Sequence, residues 1–74
     1  MEEESPEELE ALLERLEIEE REVSTLRRKL HDRLARFPNE VTMEQEREIS
    51  AKRHELHAQI DELRVKLRHV QGRD

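Results

Sequence analysis

Two runs of apolar residues, parted by one proline, constrain what this chain can fold into. The first run is Leu9, Leu13, Leu16, Val23, Leu30, Leu34 and Phe37; the second is Ile49, Leu56, Ile60, Leu63, Leu67 and Val70. Spacings of three, four and seven put each run on one side of an α-helix, in the pattern of a coiled-coil seam. Leu12 and Leu26 widen the first stripe. Pro38 ends the first helix, because its ring has no N–H and collides with the preceding turn. Two long amphipathic helices joined by a few residues fold back on one another. The predicted fold is therefore all-α: a two-helix antiparallel coiled-coil hairpin, dimerising into a helical bundle.

The ends of the helices carry their own signals. Ser5-Pro6-Glu7-Glu8 predicts a helix start, with Ser5 as N-cap, Pro6 in the first turn and Glu8 closing a capping box. Thr42 to Gln45 reads as a second capping box with Thr42 as N-cap, and Gly72 as the final stop. These signals divide one hairpin of residues 1–74 into a first helix at 6–37, a turn at 38–42 and a second helix at 43–70.

Composition agrees with this and narrows function. Charged residues make up 46% of the chain and hydrophobic ones 32%, with a single aromatic, which is long-helix composition rather than that of a globular enzyme. The chain has no cysteine, so no disulfide or thiolate chemistry is expected. No apolar run is long enough for a signal peptide or a membrane span, and a cytoplasmic setting is expected. Residues 1–22 hold eleven Glu and two Arg, a net charge of -9, whereas the remaining 52 residues sum to +3. An acidic lead segment opposes direct DNA binding and suits a basic protein surface, with Glu10, Glu14 and Glu17 as candidate contacts. A solvated acidic helix start is the plainer alternative.

Within the seams lies a repeat. Glu20 to His31 recurs as Glu46 to His57 at an offset of 26, with seven identities in twelve positions. A coiled coil repeats its leucines readily, but it has no reason to repeat a Ser, an Arg and a His in register with them. Glu46, Ser50, Arg53, His57 and Asp61 fall within an arc of about 80° on a helix, making one polar stripe. The first copy supplies Glu20, Ser24, Arg27 and His31, and then has Ala35 where the second has Asp61.

A turn centred near residue 40 sets residues whose numbers sum to 80 or 81 opposite each other. Glu20 then faces Asp61, Ser24 faces His57, Arg27 faces Arg53 and His31 faces Ser50. Opposed arginines repel and are costly to desolvate without an anion. Arginine forks suit phosphate and the O6/N7 edge of guanine, and carboxylates accept from guanine N–H groups. The stripe thus has the chemistry for an anionic guanine nucleotide. Ordinary helix-surface residues that keep a seam in register are the alternative. His54, His57 and Asp61 have helical metal-ligand spacing, but the repeat keeps only the His57 position, so no metal is expected. No nucleophile and base are set in an enclosing pocket, so no catalytic residue is assigned.

The pattern Glu-x3-Ser-x2-Arg-x3-His-x3-Asp, complete at Glu46, Ser50, Arg53, His57 and Asp61, resembles the cyclic di-GMP signature of the RsiG anti-sigma factors of actinobacteria. The resemblance covers residues 5–71. It implies an antiparallel coiled-coil hairpin that, loaded with a cyclic di-GMP dimer, holds a sigma factor of the WhiG or flagellar type and represses transcription. Loss of the second Asp at Ala35 departs from the two-motif pattern and is similar to the single-motif branch, in which two identical chains each supply a stripe. A homodimer with a secondary role for Glu20, Ser24, Arg27 and His31 is then implied. The contrasting expectation is a structural coiled-coil adaptor with no small ligand.

Overall fold

A computed structural model describes residues 5–72. Helix α1 spans Pro6–Arg36 and helix α2 spans Glu40–Gln71, packed side by side in a rod 55 Å long. They are the only elements among the described residues, and the all-α hairpin is the fold expected. No helix among these residues is long and apolar enough to cross a membrane.

The start of α1 follows its local chemistry. Ser5 Oγ accepts from the Glu8 backbone N–H at 3.2 Å, while a Glu8 carboxylate oxygen accepts from the Ser5 backbone N–H at 3.1 Å. Two otherwise orphaned amides are thereby satisfied. At the far end of α2, Gly72 caps the helix and donates its N–H to Arg68 O at 2.9 Å.

The start of α2 corrects the sequence reading. The N-cap is Asn39, not Thr42, and the helix begins three residues earlier, at Glu40 rather than Met43. The Asn39 side-chain oxygen accepts from the Thr42 N–H at 2.8 Å, and its amide nitrogen donates to Phe37 O at 3.0 Å. Asparagine is as good a cap as threonine, and here it sits directly after the residue that stops α1. The turn therefore shrinks to residues 37–39, centred on Pro38. Thr42 lies inside the first turn of α2 and is buried.

The core runs along the seam. Leu9, Leu63 and Leu67 are buried together near the open end, with Leu12, Leu13, Leu16 and Val70 packed against them. Val23, Leu30, Leu56 and Ile60 carry burial towards the turn. Each buried leucine contributes about 1.5–3 kcal/mol relative to exposure. Phe37 is a second correction: assigned to the seam by its spacing, it is 70% exposed, because it is the C-cap residue where the chain leaves the helix.

Charge favours the antiparallel arrangement. The acidic first half of α1 lies beside the basic last half of α2, where Glu17 pairs with Arg64 at 2.9 Å and Glu10 accepts from Gln71 at 3.1 Å. Glu19 pairs with Lys52 at 3.3 Å. Exposed pairs contribute only about 0–1 kcal/mol each, so they orient the helices more than they hold them.

Candidate functional site

In the middle of the rod the leucines give way to polar residues, and the two copies of the repeat meet there. They exchange partners across the seam. Arg53 Nε donates to Ser24 Oγ at 2.9 Å, and Ser24 Oγ donates to Glu20 Oε2 at 2.8 Å. The His57 ring Nε2 lies 2.8 Å from that same Glu20 oxygen. In the second quartet Arg27 Nε donates to Ser50 Oγ at 2.9 Å, and Ser50 Oγ donates to Glu46 Oε2 at 2.7 Å. His31 Nε2 lies 2.7 Å from the Glu46 oxygen. Each arginine stands 3.7 Å from the carboxylate of its quartet. Corresponding distances agree within 0.1 Å, so the two quartets are related by a local two-fold axis.

This network corrects the expected register by about one turn. Glu20 meets His57 rather than Asp61, Ser24 meets Arg53 rather than His57, Arg27 meets Ser50 rather than Arg53, and His31 meets Glu46 rather than Ser50. Each of these pairs sums to 77. The cause is the cap: moving the start of α2 from Met43 to Glu40 moves the centre of the turn from about residue 40 to Pro38. The signal was present in the motif. The spacing Glu-x3-Ser-x2-Arg-x3-His is palindromic. Two antiparallel copies can therefore bring acid to imidazole and hydroxyl to guanidinium along their whole length in one register.

The new register removes the clash of arginines. Each guanidinium crosses to a serine and a carboxylate of the other helix. The Glu20 carboxyl is held below the usual carboxylate range first by the Ser24 hydroxyl, then by His57 and Arg53, with partial desolvation opposing. Ser50 first, then His31 and Arg27, do the same for Glu46, again against desolvation. Hydrogen bonds and positive charge both favour the ionised form.

Two features remain open. Each arginine uses only Nε, and its two Nη groups have no hydrogen-bonding partner among the described residues. The arginine side chains are 36% and 39% exposed, so these forks reach solvent from a guanidinium already oriented by serine. Asp61 lies one turn beyond His57, exposed and outside the network, and its counterpart Ala35 is also exposed. The two-fold relation thus covers four positions of the stripe and is broken at the fifth.

The remaining candidates are more scattered. Glu10 and Glu17 already engage α2, whereas Glu14 is exposed with no polar partner among the described residues. No three His, Cys, Asp or Glu side chains among the described residues come together around a metal position. Across the seam from the stripe lies a groove of about 360 Å³ lined by Leu26, Leu30 and Ile49 between Lys29, Arg33 and Glu48, which sequence reasoning did not identify. Its only sequence signal was Leu26, which is 44% exposed rather than packed in the seam.

Compared with known protein families, with curated proteins and with solved structures, the chain shows no match. Two arginine forks about a two-fold axis, each oriented by a serine hydroxyl and a nearby carboxylate, suit a ligand with two anionic groups.

Proposed function

We propose that this hairpin is a non-enzymatic anti-sigma factor whose grip on a sigma factor of the WhiG or flagellar type is gated by cyclic di-GMP. The observation that supports this reading most is the pair of arginines, Arg27 and Arg53, related by a local two-fold axis, each anchored through Nε with its Nη groups unpaired among the described residues. Cyclic di-GMP is itself two-fold symmetric and carries two phosphodiesters and two guanines. Arg53 and Arg27 would take the phosphates, Ser50 and Ser24 would orient them, and Asp61 would accept N–H groups of guanine. Glu46, His57, Glu20 and His31 would hold the arginines in place.

Two assemblies follow from this. In a homodimer, two copies of the α2 stripe, each with its own Asp61, would enclose the ligand, as the single complete motif suggests. In the other, one hairpin supplies both stripes, which the equivalence of the two quartets favours. Sedimentation equilibrium with and without cyclic di-GMP separates them. A ligand-bound species of about twice the chain mass of 9.0 kDa supports the dimer, and a ligand-bound monomer supports the single hairpin.

The structural-adaptor reading has its own support, since no buried side-chain polar atom among the described residues lacks a hydrogen-bonding partner without a ligand. Calorimetric titration decides between them. Saturable binding of cyclic di-GMP near micromolar, about -8 kcal/mol, sustains the anti-sigma reading. No heat and no change in melting temperature at millimolar ligand leaves the adaptor.

A further inference from the structure

With neutral imidazoles each quartet balances: one carboxylate against one guanidinium. A ligand bearing two phosphodiesters adds two negative charges to a stripe that has no net positive charge to meet them. The groups able to supply that charge near neutral pH are His31 and His57. Each lies within hydrogen-bonding distance of a carboxylate oxygen from the opposite helix, at 2.7 Å for His31 and 2.8 Å for His57. Each side chain is also about half exposed, at 47% and 48%, so each can reach a ligand on the stripe.

We infer that His31 and His57 form the proton-linked half of the anion site, each taking up a proton as the bis-phosphate ligand docks. This rests on the proposed cyclic di-GMP reading and adds its regulation by pH. The surroundings of each ring define the balance. His57 faces Glu20 on α1, with Arg53, His54, Glu55 and Asp61 within a turn on its own helix. His31 faces Glu46 on α2, with Arg27, Arg28, Lys29, Asp32 and Arg33 within a turn on its own helix and Ala35 where Asp61 stands in the other copy. Arg47, the next cation on α2, is paired with Glu44.

Glu20 and Glu46 stay ionised throughout the neutral range, because serine, imidazole and arginine hold both below the usual carboxylate values. Phosphodiesters do not titrate there either. Imidazole is the side chain whose ordinary titration spans this range. Ligand charge favours the protonated ring in the complex, so by linkage affinity rises as pH falls.

The test is calorimetry with cyclic di-GMP at pH 6, 7 and 8, in pairs of buffers of unequal ionisation heat. The expected result is net proton uptake of between one and two protons at pH 7 and affinity roughly a hundredfold greater at pH 6 than at pH 8. In His31→Gln/His57→Gln, glutamine keeps an N–H for the glutamate but cannot charge, so both effects should vanish. A His54→Gln/His69→Gln control should retain them. Binding with neither proton uptake nor pH dependence overturns this inference and leaves the ligand reading standing, as does proton uptake that persists in the His31/His57 double variant. No binding at any pH overturns both.

Discussion

The open end of the rod and its middle are built on opposite plans. At the open end Leu9, Leu63 and Leu67 are buried together, with Leu12, Leu13, Leu16 and Val70 around them. In the middle the seam is crossed by two Glu–Ser–Arg–His quartets that are partly exposed and joined by directional hydrogen bonds. Dispersion and the hydrophobic effect tolerate small slips of one helix along the other; hydrogen bonds at 2.7–2.9 Å do not. The leucines supply cohesion, and the quartets select one register. The same division leaves the chemically active groups on the weaker part of the seam, where a ligand can reach them.

Four experiments sharpen or break this contrast, in descending order of expected effect. Leu63→Ala removes the centre of the open-end cluster and should destabilise the hairpin by about 2–5 kcal/mol, read by thermal unfolding of helical circular dichroism. A loss no greater than that of a quartet substitution would mean that cohesion does not reside at the open end.

Arg53→Ala should weaken cyclic di-GMP binding about 10- to 100-fold, the range for losing a hydrogen bond to a charged group. Arg27→Ala is the informative partner. Equal losses fit one hairpin whose two quartets both serve the ligand. A much smaller loss at Arg27 fits the homodimer built from second helices, the outcome expected from the lone complete motif.

Acid should erode the middle selectively. Both Glu20 and Glu46 have carboxyls lowered by folding, so their contribution is present above the ordinary carboxylate range and is lost as pH falls through their folded values. The decline in melting temperature below about pH 4.5 should be shallower in Glu20→Gln/Glu46→Gln than in the parent. Parallel curves would show that the quartet carboxylates contribute nothing to pH-dependent stability. The smallest effect is expected for Glu14→Lys, which touches neither region and should slow sigma-factor association a few-fold at low salt, as loss of steering charge does. Unchanged association rates would reduce that acidic face to a solvated surface.

Sequence alone determined the two helices, their antiparallel return, the Ser5 cap, the Gly72 stop and the four repeated positions that meet across the seam. Each rests on information within a few residues: periodicity, a capping box, a proline, a repeat at a fixed offset. It also determined that Glu20, Ser24, Arg27 and His31 are chemical copies of Glu46, Ser50, Arg53 and His57. Which copy meets which was decided only by the folded pair of helices. Asn39 is intrinsically the better cap, whereas Thr42 has a capping-box partner in Gln45, so the local signals conflict. The choice moves the centre of the turn by about two residues, and a shift of that size in an antiparallel hairpin moves each partner by three or four. Burial of the leucines and closure of both quartets are satisfied together in one register, and that joint condition turned two opposed arginines into two anchored forks facing solvent.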